Sequence, residues 1–270
     1  MIVITGATGN VGTPLVKALA AAGKEVTAVS RRPSDLPGHR QGDLTEPESL
    51  KPALEGAEAL FVLISGDFVA AGGDLGHAMK VARAAGVQRV VLLSSQGVGT
   101  GHHPTDLEDV VKESGMAWTM LRPGAFDSNA LQWAELVRTQ RTVAAPFADV
   151  ALPTVDPADI ADVAAVALRD GGHAGATYDL TGPAATSPRE QAAAIGEAVG
   201  ESLRFVELTR AEAKAAMTRF MPERVAESSL DLLGTPPPAV RRPSPDVERI
   251  LGRPARPFAD WAARNAAAFR

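Results

Sequence analysis

The chain of 270 residues contains no cysteine, which excludes both a disulfide framework and a thiolate metal site. Its five histidines are scattered without ligand spacing, so no metal is expected. Aromatic residues are scarce as well: eight Phe, three Trp and one Tyr. With a formal net charge of -5, that scarcity argues against a nucleic-acid surface, which needs basic patches and stacking rings. No apolar stretch exceeds the length of a strand, so no membrane span is expected. The first strand begins at residue 2, leaving no room for a signal peptide. These absences together point to a cytoplasmic protein whose partner is a small molecule. A chain of this length buries about 75% of its unfolded surface, enough for a core without staples. A homodimer is neither required nor excluded by the sequence.

What is present is concentrated near the start. The segment Ile2 to Thr13, IVITGATGNVGT, is a short apolar strand running into Gly6, Gly9 and Gly12 and then into a helix. Gly6 permits a tight turn, Gly9 lets backbone approach a phosphate, and Gly12 lets the helix pack closely on the strand. An anion placed there meets the positive end of the helix dipole. Val11, Leu15, Leu19 and Ala22 recur at helical spacing, Gly23 closes the helix, and Glu25 to Val29 reads as the next strand. Strand, turn, helix and strand in that order are the context a dinucleotide-binding turn requires.

Strand-like and helical runs then alternate. Ala59 to Ile64, Gln88 to Ser94 and Trp118 to Leu121 are apolar runs that suit a parallel sheet covered on both faces. Between them lie helices marked by Leu50, Leu54 and Ala57, by Leu75, Met79, Ala82 and Ala85, and by Val110, Val111 and Ser114. Helix starts are signalled by Thr45 with Glu48, by Asp156-Pro157 and by Ser187-Pro188-Arg189-Glu190. The pattern predicts an α/β fold with a doubly wound parallel sheet, a Rossmann domain over residues 1–182. Residues 183–270 read as a smaller lobe of helices with one strand, Arg204 to Leu208, and a stiff Pro236-Pro237-Pro238. That lobe is expected to cover the substrate at the open end of the cofactor site.

The end of the second strand bears on cofactor choice. A carboxylate there would hold a ribose 2′-hydroxyl, but the chain reads Ser30-Arg31-Arg32, and a guanidinium can bind a 2′-phosphate in a forked, charge-assisted manner. This favours NADPH, unless the two arginines merely solvate a turn. Asp43, in Gly42-Asp43-Leu44, could accept from the adenine amino group or serve as a turn residue before the Thr45 cap.

The segments TGATGNVG, SRR, GDL, SGMAWTMLRPGAFDSNALQW, VDPADIADVAAVAL, YDLTGP and DVERILGRPARPFADWA resemble the atypical short-chain dehydrogenases of the NmrA-like class, near triphenylmethane reductase and the type 2 NAD(P)H:quinone oxidoreductases. The resemblance covers nearly the whole chain. It implies that Gly6, Thr8, Gly9, Asn10, Val11 and Gly12 line the pyrophosphate and that Arg31 and Arg32 meet the 2′-phosphate. It also implies that Ile64, Ser65, Ser94 and Pro123, Gly124 and Ala125 surround the nicotinamide end; Asp43 and Leu44 are further candidate cofactor-binding residues.

The departure from classical short-chain dehydrogenases lies at the catalytic pair. Those enzymes use Tyr-x-x-x-Lys, whereas the matching stretch Pro104-Thr105-Asp106-Leu107-Glu108 has neither member, and Glu108 stands in the lysine place. Tyr178, the one tyrosine, lies far along the chain and reads as packing. Relatives often carry a histidine shortly before that glutamate; here His102 and His103 come slightly earlier. No catalytic residue is therefore assigned. Without a fixed phenol, the acceptor best suited is electron-poor, such as a quinone, an activated alkene or a dye, because a quinone yields a phenolate-like oxygen of pKa ~10 that water can protonate. Phe68, Gln96, His103, Phe126 and Asp127 follow strand ends and are candidate pocket residues, with core packing the alternative for both rings and a helix cap the alternative for Asp127. These features fit an NADPH-dependent reductase. The alternative is a non-catalytic NADP(H)-sensing regulatory protein, the role of the namesake of the class.

Overall fold

A computed structural model of the chain describes residues 1–219 and 221–270. They form two compact units. The first comprises residues 1–123, 157–180 and 246–253, and the second residues 124–156, 181–245 and 254–270.

The first unit is built on seven strands: β1 Ile2–Thr5, β2 Val26–Ser30, β3 Arg40–Gln41, β4 Ala59–Leu63, β5 Arg89–Leu93, β6 Ala117–Pro123 and, after a strand of the other unit, β8 Ala176–Leu180. All pair in parallel, in the order β3-β2-β1-β4-β5-β6-β8. Side chains alternate across the sheet. Val3, Val29, Leu60, Val62, Val90, Leu92 and Met120 share one buried cluster with the helices Leu75–Ala84 and Asp106–Glu113. Helix Gly12–Ala21 packs on helix Pro157–Arg169, and that helix on Asp246–Leu251. Because β2 and β4 flank β1 on opposite sides, the chain leaves the sheet in both directions from β1, the switch point where open sheets hold ligands.

The second unit contains a parallel pair, β7 Thr142–Ala145 with β9 Arg204–Glu207. Its core joins Trp133, Val137, Val143, Ile195, Phe258, Trp261 and Phe269. Helix Pro188–Val199 begins with the expected reciprocal cap, Ser187 with Glu190.

Several expectations are corrected. The units are not separated by one cut after residue 182, because 124–156 fold with the later chain and 246–253 with the earlier. Strand β7 is not among the expected strands and forms by pairing with β9. The first helix ends at Ala21, and Val16 rather than Ala22 joins Leu15 and Leu19 in the buried stripe. The Thr45–Glu48 box does not form. The 3-10 turn there starts at Pro47, Thr45 N–H donates to Asp43 Oδ1 at 2.9 Å, and Glu48 instead pairs with Lys51 and His77. In the last helix, Phe258 and Trp261 bury their rings within the second unit's own core. Among the described residues no helix is long and apolar enough to cross a membrane.

Candidate functional site

The carboxyl ends of the parallel strands bring most of the expected residues of the first unit to one edge. The turn after β1 has the strained backbone that only glycine takes easily: Gly6 has φ +64°. Gly9 N–H donates to Gly6 O at 3.0 Å. A Cβ on Gly12 would stand 2.2 Å from Gly6 O and 2.7 Å from Ala7 Cα, so any larger residue forces the helix off the turn. This cradle of bare backbone fits a dinucleotide pyrophosphate. Thr8 and Asn10 are exposed on it, while Val11 is buried and anchors the turn from beneath, so only its backbone is available to a ligand.

At the end of β2, Arg31 and Arg32 are exposed. Their backbone is tethered: Ser30 Oγ donates to Arg32 O at 2.7 Å, and Gln41 Nε2 to Arg31 O at 2.9 Å. Arg31 Nη1 donates to Asp67 Oδ2 at 2.8 Å. Asp43 serves as the turn residue, accepting from Thr45, and Leu44 is buried beside it. After β4, Ile64 packs against the core and Ser65 caps the helix Gly66–Ala70, its Oγ accepting from Phe68 N. Phe68 itself is 3% exposed in the core, and a Cβ on Gly73 would strike its ring at 2.4 Å. It is therefore a packing residue rather than a pocket residue.

After β5, Gln96 opens the short helix Gln96–Gly99, capped by Ser95. His103 is exposed and lies against that helix: its backbone N–H donates to Gly97 O at 2.9 Å, and a Cβ on Gly97 would meet the imidazole Nδ1 at 2.5 Å. Pro123 ends β6, and Gly124 and Ala125 continue the chain into the second unit. There Phe126 is half-buried at the N-cap position of a 3-10 helix, Asp127–Trp133. Asp127 is buried and is the first residue of that helix, so it does not stand ahead of it as the cap that was the alternative reading.

Glu108, expected at the place of the classical lysine, lies in a network of donors. Glu108, 1% exposed, accepts from Arg122 Nε at 2.8 Å and Arg122 Nη2 at 2.7 Å, from Ser94 Oγ at 2.6 Å, and from Lys112 Nζ at 3.5 Å. Burial alone would raise its pKa, but the bonds from Arg122 and Ser94 and the charges of Arg122 and Lys112 outweigh it and hold the carboxyl below the usual range. Glu108 is thus an ionised anchor with no proton to give. Arg122, its bidentate partner, was missed by sequence reasoning. The available signal was an arginine inside the apolar run Thr119-Met120-Leu121-Arg122, since a charge in such a strand needs a buried partner. Asp179, opposite Arg122 in the β6–β8 register, has its pKa raised, chiefly by desolvation, with Arg122 opposing and Asp246 and Glu108 adding to the shift.

Tyr178 is 8% exposed, and its hydroxyl lies 2.8 Å from His173 Nδ1 with Arg249 over its ring. Burial raises its pKa. Such a tethered phenol is structural, and Tyr178→Phe is expected to leave kcat within a few-fold, where loss of a general acid costs ~10²–10⁴. A hundredfold fall in steady-state kcat with folding intact would contradict this.

Residues 6–171 match the model of the NAD(P)H-binding family. The chain is 37% identical over 283 residues to (4-alkanoyl-5-oxo-2,5-dihydrofuran-3-yl)methyl phosphate reductase of Streptomyces griseus, covering 100% of this chain and 99% of the relative. It is 36% identical over 288 residues to the NAD(P)H azoreductase of Xenophilus azovorans, again covering 100% and 99%. In structure it is similar to the NADPH-dependent quinone oxidoreductase of Escherichia coli solved with NADPH, with a TM-score of 0.82 at 24% identity over 98% and 99% of the two chains; that likeness concerns the fold.

Proposed function

We propose, from the premise that this chain belongs to the NAD(P)H-binding family, that it is a reductase which prefers NADPH and passes a hydride to a small electron-poor acceptor. The observation that carries the reading is the arginine-locked Glu108 standing where a classical enzyme keeps its lysine. The chain can position and polarise, but this place supplies no acid. When bound, the dihydronicotinamide supplies two electrons and one hydrogen nucleus as hydride. The bare turn of Gly6, Gly9 and Gly12 holds the pyrophosphate, Arg31 and Arg32 take the 2′-phosphate, and Ser65, Ser94 and Pro123 border the nicotinamide end.

An acceptor that leaves a weakly basic oxygen or carbon can take its remaining proton from water. Quinones, activated alkenes and dyes satisfy that condition; simple ketones, which yield strongly basic alkoxides, do not. The full-length relatives support this choice. The Streptomyces griseus enzyme is named for a ring alkene that carries two carbonyl groups on one carbon, and the Xenophilus azovorans enzyme for azo reduction. Both are reductases, which favours an enzyme over a cofactor sensor. NADPH consumption with a panel of quinones, enones, azo and cationic dyes and aliphatic ketones tests the reading. Turnover of the electron-poor acceptors with inert ketones is expected, and comparable kcat/KM for aliphatic ketones would overturn it.

The cofactor preference has its own test. NADPH should bind at least about tenfold more tightly than NADH, since a charge-assisted bond to phosphate contributes ~1.5–3 kcal/mol. Arg31→Asp should reverse much of the preference by placing a carboxylate where the phosphate would lie. Calorimetry with both cofactors checks it, and equal affinities in the unaltered protein would remove the assignment.

A further inference from the structure

The partner of Arg31 was not expected from sequence. Arg31 follows β2 and Asp67 follows β4, and in the sheet order β1 lies between those strands. Two strand spacings are about 10 Å, so the Arg31 and Asp67 side chains reach toward each other and pair as a strap between the ends of β2 and β4. Both ends of the strap are fixed at the backbone. Arg31 is tethered through Gln41 and the Ser30–Arg32 bond, and Asp67 sits in the first turn of the helix capped by Ser65. Opening the strap therefore requires only that two side chains swing, and both are exposed enough to do so, at 56% and 70%.

We infer that Asp67 is a specificity-determining residue that competes with the cofactor's 2′-phosphate for the Arg31 guanidinium. The inference rests on the reading that Arg31 receives that phosphate. A guanidinium forked onto a phosphate draws on the same head whose Nη1 now donates to the Asp67 carboxylate. Binding of a 2′-phosphorylated nucleotide is then an exchange of one anion for another, and Asp67 lowers its net affinity. A nucleotide with a free 2′-hydroxyl offers no such exchange and leaves the Arg31–Asp67 pair closed or gains little from opening it. The discrimination between NADPH and NADH is consequently narrower in this chain than the arginines alone would make it.

Asp67→Asn and Asp67→Ala test the inference, with adenosine 2′,5′-bisphosphate and ADP as probes beside NADP⁺ and NAD⁺, measured by calorimetry. Exposed ion pairs of this kind are weak, so the expected gain is about two- to fivefold in affinity for the two 2′-phosphorylated ligands, with ADP and NAD⁺ unchanged. A uniform gain for all four ligands, or no gain for the 2′-phosphorylated pair, overturns the role of Asp67 while the wild-type preference stands. Arg31→Gln distinguishes failure of the underlying reading. If the unaltered protein binds adenosine 2′,5′-bisphosphate no better than ADP and Arg31→Gln changes neither, Arg31 is not the phosphate ligand and the inference falls with it.

Discussion

Glu108→Ala is expected to destabilise the protein by about 3–5 kcal/mol, because it leaves the Arg122 guanidinium facing a buried site with no carboxylate. Glu108 is 1% exposed and takes four donated bonds from three side chains. At this chain length the loss corresponds to a fall in Tm on the order of 10 °C. The direction of its pKa fixes the pH dependence. A carboxyl held below its unfolded value contributes stability in full above the ordinary glutamate pKa of about 4.3, and that contribution is lost as pH falls through the lower folded value. Glu108→Gln should keep the shape, lose the charge, and flatten the acid limb of the stability profile. Replacing both partners with apolar residues, Glu108→Leu with Arg122→Met, should recover much of the loss, since a removed pair is cheaper than a broken one. Thermal and denaturant unfolding from neutral to acid pH checks all three, and a Glu108→Ala protein as stable as the original would show that the pair is not holding β6 to the helix Asp106–Glu113.

Trp261→Ala should cost a similar ~3–5 kcal/mol, the usual loss for a large buried aromatic. Its ring lies 5.4 Å from that of Phe258 and 6.3 Å edge-on from that of Phe269, at the centre of the second unit's core. The predicted signature is a lowered Tm, while Trp261→Phe loses far less because it leaves a smaller cavity. If the ring instead met substrate, Trp261→Ala would lower kcat/KM at unchanged Tm, and that outcome would move this helix from packing to the active site.

What could be read from the sequence was local. The Gly6 turn, the helix after it and the apolar strands announce themselves within a dozen residues, because backbone conformation and side-chain alternation are set by neighbours. The Ser187 cap was legible for the same reason. The pairings that matter to the site were not. Glu108 meets Arg122 across 14 positions and Arg31 meets Asp67 across 36, distances at which sequence shows that each charge needs a partner without naming it. Phe68 illustrates the converse. It follows a strand end, as a ligand-stacking ring would, but the helix Gly66–Ala70 turns it inward. Thr45 and Glu48 have the right spacing for a cap, yet Asp43 engages the Thr45 backbone first and His77 and Lys51 draw the glutamate away.

The interleaving of the two units has a consequence for synthesis. The chain passes between them five times, and the first unit ends with residues 246–253. Helix Asp246–Leu251 accepts the Asp179 backbone N–H through Asp246 Oδ2, and Arg253 grips Asp159 and Asp162 from 94 and 91 positions downstream. A ribosome releasing the chain from its N-terminus can complete neither unit early. The Gly6 turn emerges well before either unit is complete, and the buried Asp159 on the helix Pro157–Arg169 gains Arg253 only once residue 253 is out. Nascent chains should thus gain protease resistance late and in one step, and the N-terminal segment alone should not behave as an independent nucleotide-binding module.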